Sequence, residues 1–291
     1  MSLNTKKCLI CKRPNDTLYW HKDNQTGGLW VYCKGVCSRG YSLYAYCAGA
    51  GLSVSEFLKN KIDFKEATPN EVTRMEWPRS FIPLSDPRSK PGIDYLRNER
   101  GLQPGDGMYY DIDREGIAFP YFFGDVFVGA QIRFTKPWVD KDGHTRKIDT
   151  LPGSRLGLLF YNWNQNGFMA NIKGVVIVEG AFDVQCLQQA FHAAYGGTIA
   201  CPWRVIACSG SGATKHQLEQ MQEVVSNGYK VIVAPDSDKA GLEMGKKFKD
   251  AGACTHIAFT GKTGVDWNDV FKQESDPKKY IKWFMERVEG V

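Results

Sequence analysis

Two short runs of apolar residues stand out in the second half of the chain. Val175–Val178 and Val231–Ala234 contain no polar position, a pattern typical of parallel strands that are covered on both faces. Phe182, Leu187 and Phe191 follow the first run at helical spacing, and a second helical pattern begins shortly after the other run. This alternation predicts a doubly wound α/β domain with a mainly parallel sheet.

Acidic residues follow both runs at the points where the strands should end. Glu179 comes directly after the first run and Asp183 lies one helical turn later, whereas Asp236 and Asp238 follow the second run. Because parallel strands end at one shared edge of a sheet, we expect these carboxylates to converge. Carboxylate ligands of this kind suit Mg²⁺ or Mn²⁺. The alternative is that each is only a turn or helix-capping residue.

The acidic motifs resemble those of the Toprim domain, which DNA primases, topoisomerases and several nucleases share. Glu179-Gly180 with Asp183 is similar to the Glu-Gly motif of that family, and Asp236-Ser237-Asp238 to its Asp-x-Asp motif. Asp266 and Asp269 stand where primases carry a last acidic element. The resemblance implies that Glu179, Asp236 and Asp238 are catalytic. The metal ligands that it implies are Glu179, Asp183, Asp236, Asp238, Asp266 and Asp269.

Four cysteines near the start of the chain form two closely spaced pairs. Cys8 and Cys11 make the first pair and Cys33 and Cys37 the second, a spacing typical of a structural zinc site. The aromatic runs between the pairs predict two short strands, at 18–20 and 29–32, so residues 1–52 are predicted to form a small β zinc ribbon. His21 is an alternative ligand in place of one cysteine.

Positive charge is concentrated in the same region. Residues 1–61 contain nine Lys and Arg residues but three Asp and Glu residues, whereas residues 62–174 contain equal numbers of both. Lys22, Lys34 and Arg39 alternate with aromatic residues, a combination that favours contact with a single nucleic-acid strand. The aromatic residues are equally consistent with a hydrophobic core for the ribbon.

A β-meander is predicted in the middle of the chain. Alternating residues indicate strands at 108–112, 117–123 and 126–134. A glycine-punctuated basic region follows, and Arg133, Lys147 and Arg155 are candidate phosphate contacts. Primases of the Toprim family have a similar basic subdomain before their catalytic module. The predicted organisation is a zinc ribbon at 1–52, a linker at 53–74, a mixed basic subdomain at 75–171 and a Toprim domain at 172–291.

Composition narrows the class of protein. The chain has 291 residues, of which 43% are hydrophobic and 24% charged, as in globular proteins. No apolar run approaches the length of a membrane span. The first residues lack the apolar segment of a secretory signal, so a cytoplasmic location is expected. Nine cysteines in such a chain indicate metal ligands or buried thiols rather than disulfides.

The resemblance extends to the order of the modules, which is that of DNA primases and of the primase half of bacteriophage primase-helicases. It implies synthesis of short RNA primers on a single-stranded DNA template from ribonucleoside triphosphates, with one structural Zn²⁺, catalytic Mg²⁺ or Mn²⁺, and a separate replicative helicase as a partner. Two alternatives remain: a Toprim nuclease or small topoisomerase-like protein, and a non-catalytic DNA-binding scaffold.

Overall fold

The structure is a computed structural model in which the chain forms two compact units, residues 1–71 and 72–291. The division falls within the segment predicted as a linker, and the boundary proposed at 171/172 stays a prediction. In the described part of the chain, no helix is long and apolar enough to cross a membrane. The structure describes residues 18–22, 29–33, 39–42, 46–47, 65–66, 74–105, 107–139, 145–154, 156–163, 172–198, 200–210, 212–274 and 276–291.

The first unit contains a small four-stranded sheet in the order β3-β2-β1-β4. Strands β1 and β2 are antiparallel, with Tyr19 opposite Tyr32, which agrees with the two predicted ribbon strands. Strand β4 pairs in parallel with β1, so the sheet includes residues from the predicted linker. Cys47 is buried, as its apolar sequence context predicts. The strands are β1 (Leu18–Lys22), β2 (Leu29–Cys33), β3 (Arg39–Ser42) and β4 (Lys65–Glu66).

The second unit begins with an antiparallel sheet in the order β5-β6-β7-β8-β9. The predicted meander is present, but β8 continues past Phe134 and pairs with a strand, β9, that the sequence pattern did not indicate. Most of β9 is exposed, so no apolar alternation marks it. The elements are β5 (Phe81–Pro83), α1 (Lys90–Asp94) with a π-helical turn at Tyr95–Glu99, β6 (Tyr109–Asp111), β7 (Gly116–Phe123), β8 (Val126–Val139) and β9 (Thr145–Thr150).

The rest of the second unit alternates strands and helices, as predicted. Its sheet has the order β11-β10-β12-β13-β14, and β14 is its one antiparallel member. The elements are β10 (Gly174–Val178), α2 (Ala181–Tyr195), β11 (Trp203–Ala207), α3 (Lys215–Ser226), β12 (Lys230–Val233), α4 (Lys239–Asp250), β13 (His256–Ile257), α5 (Trp267–Gln273), α6 (Pro277–Met285) and β14 (Glu289–Gly290).

The mainly parallel sheet is covered on both faces. All five residues of β10 are buried, and their side chains divide between two hydrophobic clusters. Val176 and Val178 belong to one cluster, and Val175 and Ile177 to the other. This explains why the β10 sequence is apolar throughout rather than alternating. Burying each such side chain contributes roughly 1.5–3 kcal/mol before chain entropy is counted.

One of these clusters also includes residues of the antiparallel sheet, among them Ile117 and Phe119. The Phe119 ring meets the Phe182 ring of α2 edge to face, with centroids 5.0 Å apart. Gln217, completely buried at the start of α3, donates to the Leu159 carbonyl at 2.8 Å. The two sheets of residues 74–291 therefore share one hydrophobic cluster, and this packing holds the antiparallel sheet against the helix that follows Glu179.

Candidate active site

Glu179 and Asp236 lie side by side at the carboxyl edge of the parallel sheet. Strands β10 and β12 are neighbours, with Ile177 opposite Val233. Glu179 follows β10 and Asp236 follows β12 by three residues, so the register brings them together. The backbone N–H of Asp236 donates to Oε1 of Glu179 at 3.1 Å. The convergence expected from sequence is thus present, although fifty-six residues separate the two positions.

Asp238 and Asp266 both cap helices. Asp238 precedes α4, and its Oδ1 accepts from the backbone N–H of Gly241 at 2.8 Å. Asp266 precedes α5, and its Oδ1 accepts from the backbone N–H of Asp269 at 2.6 Å. These bonds satisfy backbone donors of the first helical turns. One oxygen of each carboxylate therefore caps a helix, as the alternative interpretation expected. The second oxygen of each is left for other contacts.

Gly241 allows the loop after β12 to pass close to α4. A Cβ added at this position would lie 2.0 Å from the Asp236 carbonyl oxygen and 2.9 Å from Oε1 of Glu179. Both distances are shorter than van der Waals contact. The Asp236 carbonyl belongs to the backbone, so a rotation of a side chain could not relieve that clash. The approach of Asp236 to Glu179 thus depends on a residue without a side chain.

Asp183 is the most enclosed of the acidic residues. Its side chain is buried in the first turn of α2. Burial raises the pKa of this carboxyl well above its usual range, and the charges of Asp236 and Asp266 raise it further. Asp183 therefore holds a proton more tightly than an exposed aspartate does, and a bound cation would oppose this effect.

The same effects act on the central pair. Burial, followed by the charge of Glu179 and then of the other nearby carboxylates, raises the pKa of Asp236 to about 7. Burial and the Asp238 charge also raise the pKa of Glu179, and the N–H donated by Asp236 opposes this effect. A positive ligand would relieve this repulsion and release protons as it binds.

Unsatisfied oxygen atoms mark the same place. Oδ1 of Asp236 and Oγ of Ser209 are buried without a hydrogen-bond partner. Ser209 also has a left-handed backbone, with φ of 61°, which is uncommon for a residue with a side chain. Its backbone N–H donates to the Glu179 carbonyl at 3.1 Å. Orphaned polar atoms at a strained turn are typical of a site that is completed by a ligand.

The donor set fits a divalent cation that retains other ligands. In the part of the chain that the structure describes, no group of three or more His, Cys, Asp or Glu side chains is arranged to hold a metal ion. Mg²⁺ is usually held by one or two protein carboxylates, with water and substrate phosphates completing its shell. Glu179, Asp236 and the uncommitted oxygen of Asp238 are consistent with that chemistry.

A cleft of about 340 Å³ opens over these acidic residues. One wall comes from the parallel sheet and its helices, with Glu179, Asp183, Asp236 and Asp266. The other wall comes from the preceding sheet and from the π-helical turn, with Gln131, Arg133, Ile148 and Arg100. Acidic and basic groups therefore face one space, as required to hold a metal together with a phosphorylated substrate.

Arg100 was not among the residues singled out from the sequence. Its Nε donates to the Tyr95 hydroxyl at 3.0 Å, and its Cζ lies 4.6 Å from the Phe182 ring centroid. Asn268 Nδ2 donates to the Arg100 carbonyl at 2.9 Å. The only local feature that marks Arg100 is the glycine that follows it, since Gly101 has φ of 66° and ends the helical turn. Nothing in the periodicity connects that turn to the acidic edge.

The other predicted site residues divide into three groups. Arg133 lines the cleft, while Lys147 lies on β9 beside the lining residue Ile148. The predictions for Cys8, Cys11, Cys37, Lys34 and Arg155 lie outside the described residues. Cys33, Lys22 and Arg39 are placed in β2, β1 and β3 by their backbone alone.

Comparison with known proteins agrees with this geometry. The Toprim-like family matches residues 176–271, which include Glu179, Asp183, Asp236, Asp238, Asp266 and Asp269. These residues form a Toprim-like domain. The resemblance of the acidic motifs to the Toprim domain is thereby confirmed for residues 176–271. Among curated proteins, none matches this sequence.

Solved structures extend the similarity beyond the Toprim-like domain. A DnaG catalytic core is 18% identical with a TM-score of 0.50, over 72% of this chain and 76% of that one. The RNA polymerase domain of Mycobacterium tuberculosis primase DnaG, in complex with a double-stranded DNA oligomer with a 6-nucleotide overhang, is 15% identical with a TM-score of 0.51, over 71% and 76% of the two chains. The chain shares their fold, and the predicted mixed α/β and α+β multidomain class is confirmed.

Proposed function

We propose that this protein is a DNA primase, which joins ribonucleotides into short RNA primers on a single-stranded DNA template. The observation that carries the proposal is the Glu179–Asp236 pair, with its unsatisfied Asp236 oxygen, in a cleft that Arg100 and Arg133 also line. The fold shared with primase catalytic cores supports it. Nucleotidyl transfer needs such an arrangement of metal-binding carboxylates and cationic groups around a triphosphate.

The acidic residues have distinct parts in this proposal. Asp236 and Asp238 are the principal ligands of Mg²⁺ or Mn²⁺, and Glu179 is a further ligand or the acid/base group. Asp183 is a further metal-site carboxylate that releases its proton as the cation binds, and Asp266 or Asp269 assists in holding the metal. The bound metal supplies charge neutralisation of the triphosphate and of the attacking and leaving oxygens.

The basic wall has the complementary role. Arg100 is held by Tyr95 and Phe182, so its guanidinium is positioned before the substrate arrives. Arg133 lies on strand β8 and lines the same cleft. Both groups can bind nucleotide or template phosphates through paired N–H donors. Arg155 and Lys147 are proposed to extend this phosphate-binding surface.

The first unit is proposed to bind one structural Zn²⁺ through Cys8, Cys11, Cys33 and Cys37. It contributes basic residues, including Lys22, Lys34 and Arg39, and is assigned to template selection. Ribonucleoside triphosphates and single-stranded DNA are the proposed substrates, and a separate replicative helicase in the cytoplasm is the proposed partner.

The test is metal-dependent incorporation of labelled ribonucleotides on mixed single-stranded DNA templates. We expect Asp236→Asn to reduce dinucleotide synthesis by roughly 100-fold, since losing a charged metal ligand removes several kcal/mol of transition-state stabilisation. Asp238→Asn should reduce synthesis to a similar extent. The variant should still fold, because asparagine can still cap α4. Asp250→Asn is the matched control, since Asp250 is an exposed aspartate at the far end of the same helix.

The alternatives give different results in the same assay. A Toprim nuclease would cut DNA with Mg²⁺ or Mn²⁺ and would need no nucleotides. A non-catalytic scaffold would bind DNA without incorporation or cleavage. Wild-type protein that makes no primer on any template with either metal would contradict the primase proposal.

A further inference from the structure

A second groove lies at the amino edge of the mainly parallel sheet, where three strands begin side by side. The backbone N–H of Lys173, just before β10, donates to the Pro202 carbonyl at 2.8 Å. The backbone N–H of Lys230, the first residue of β12, donates to the Lys173 carbonyl at 3.2 Å. We call the space of about 560 Å³ beside these strand ends the amino-edge groove, and its lining includes Lys173, Tyr195, Trp203, Lys230 and Met285.

The amino-edge groove is separate from the acidic cleft. Lys173 precedes β10 and Glu179 follows it, so the chain between them spans roughly 20 Å at the rise of an extended strand. Among the residues that the structure describes, no residue lines both spaces. A ligand in the groove would therefore contact neither the carboxylates nor the cations of the proposed active site.

Gly174 shapes the floor of the groove. It lies opposite Trp203 of β11 and opposite Lys230 of β12. A Cβ added at position 174 would lie 2.8 Å from Cζ3 of Trp203 and 2.9 Å from Cβ of Lys230. The indole ring and the lysine stem thus approach each other across a position that has no side chain. This brings an aromatic floor and a cation together on one face of the sheet.

An aromatic stack forms the wall on the α2 side. The Phe191 ring stacks with the rings of Trp203 and Tyr195, at centroid distances of 6.2 and 6.3 Å and an interplanar angle of 28° in both pairs. Trp203 is buried, whereas Tyr195, the last residue of α2, is 42% exposed and lines the groove. The stack therefore ends in a tyrosine ring that is held by a buried neighbour and remains accessible to a planar ligand.

The charge of the groove has one sign. Within the described part of the chain, its lining contains Lys173 and Lys230 and no acidic residue, and both lysines are exposed. Neither lysine forms an ion pair with a described carboxylate. Two such ammonium groups attract an anion. A phosphate suits them, because its oxygen atoms can accept from both lysines at once.

The size of the groove favours a small molecule over a protein partner. Its volume lies in the range of about 300–1,000 Å³ that is usual for small-molecule sites. Ile172 and Met285 are half-buried, so the accessible apolar surface is mainly one tyrosine ring. A stable protein interface needs a much larger area, roughly 800 Å² on each partner.

We propose that the amino-edge groove is a second ligand site, which binds a planar anion of nucleotide size with its ring against Tyr195 and its phosphate on Lys173 and Lys230. The ring and the phosphate both contribute to affinity, so the whole ligand binds more tightly than either part. The proposal does not rest on the primase function. It assigns a binding role to the sheet edge opposite the one where α/β folds usually bind ligands.

The test is titration of the full chain with adenosine 5′-monophosphate in EDTA, measured by saturation-transfer difference NMR. We expect saturable binding. Lys173→Gln and Lys230→Gln should each weaken it roughly tenfold, because each removes a hydrogen bond between charged groups. Tyr195→Ala should weaken it about fivefold or more, whereas Tyr195→Phe should stay within about twofold of wild type because a ring remains. Lys246→Gln is the matched control, since Lys246 is an exposed lysine of α4 that does not line the groove.

Adenosine and inorganic phosphate, titrated separately, test the two parts of the ligand. Each should bind at least tenfold more weakly than the monophosphate, because each makes only one of the two contacts. Adenosine that binds as tightly as the monophosphate would exclude a role for the lysines. Inorganic phosphate that binds as tightly would exclude a role for the Tyr195 ring. Either result would overturn the proposal.

Arg100→Ala determines which of the two spaces holds the ligand. Because Arg100 lines the acidic cleft, this variant should bind adenosine 5′-monophosphate as wild type does. Lost binding in Arg100→Ala with normal binding in Lys173→Gln and Lys230→Gln would place the ligand in the acidic cleft and overturn the proposal. Wild-type protein without saturable binding would also overturn it.

The outcomes separate this inference from the primase function. The binding assay contains no divalent metal and no template, so it can succeed with a protein that makes no primer. Primer synthesis by a protein whose Lys173→Gln and Lys230→Gln variants bind the monophosphate normally would leave the reaction standing and overturn the second site. A far-ultraviolet circular dichroism spectrum like that of wild type verifies that each variant is folded.

Discussion

The backbone N–H of Asp236 donates to Oε1 of Glu179 at 3.1 Å. This single bond joins the ends of two neighbouring strands, and it gives Glu179 a structural role alongside any chemical one. Its carboxylate orients the loop after β12 and also supplies negative charge beside Asp236. The two roles can be separated by substitution.

Glu179→Gln should keep the first role and lose the second. The amide oxygen of glutamine can still accept the Asp236 N–H, so we expect a melting temperature close to that of wild type. Because the charge of Glu179 raises the pKa of Asp236, that pKa should fall from about 7 toward its ordinary range. Carboxyl-carbon NMR titration measures this change. Glu243→Gln, at an exposed position of α4, should leave the Asp236 titration unchanged.

Metal-free protein should lose stability as the pH rises from about 4 to about 7. The pKa of Asp236 is about 7 in the folded chain against an ordinary value of 3.8, so the folded state binds more protons in this window. The free energy of unfolding then falls with rising pH. Thermal melts in EDTA measure it, and Asp236→Asn should reduce the slope. A slope equal to or steeper than that of wild type would contradict the assignment.

Added Mg²⁺ should stabilise the protein more at pH 8 than at pH 5. The metal binds the deprotonated carboxylates, whereas protons compete for them at the lower pH. Melting temperatures with and without the metal, at matched ionic strength, provide the measurement. Asp250→Asn should respond as wild type does, and Asp236→Asn should respond less. An equal shift at both pH values would argue against metal binding at the raised-pKa site.

Gly241→Ala and Gly245→Ala should have opposite effects although both lie in α4. A methyl group at 241 would lie 2.0 Å from the Asp236 carbonyl, so the loop that carries Asp236 must move. At 245 the nearest atom is 3.5 Å away, and alanine there should stabilise the helix by roughly 0.5–1 kcal/mol. Urea unfolding and primer synthesis test the pair. Full activity in Gly241→Ala would show that the close approach is not needed.

Arg100→Ala should raise the KM for ribonucleoside triphosphates by about tenfold or more, because it removes a preorganised cation from the cleft. Arg100→Lys should recover only part of the loss, since lysine cannot pair with phosphate through two parallel N–H groups. Steady-state kinetics at varied nucleotide concentration separate KM from kcat. Arg97→Ala, at an exposed position of the same turn, is the control and should match wild type.

The zinc prediction is tested by elemental analysis of the full chain. We expect one zinc per chain, and Cys33→Ser should lose most of it because three thiolates hold the ion less tightly than four. Cys47→Ser is the matched control, since Cys47 is buried and outside the proposed ligand set. Full zinc content in Cys33→Ser would exclude Cys33 as a ligand, and His21→Ala would then test the alternative.

The sequence was most informative where local pattern and function coincide. Apolar runs predicted β10 and β12, and the geometry of parallel strands then predicted that Glu179 and Asp236 would meet. Strand β9 was missed because its residues are mostly exposed and show no alternation. Arg100 was missed because its place at the cleft depends on contacts with Phe182 and Asn268, which lie far away in the chain.

The contact between Phe119 and Phe182 limits how this protein can be divided. Two residues of the predicted Toprim domain, 172–291, make contacts outside it. Phe182 packs against Phe119, and Gln185 donates to the Tyr161 hydroxyl. Residues 172–291 expressed alone would leave the apolar part of this surface uncovered, and such surfaces promote aggregation. The module is therefore not portable, and a graft of its acidic edge into another scaffold would need to bring the partner sheet with it.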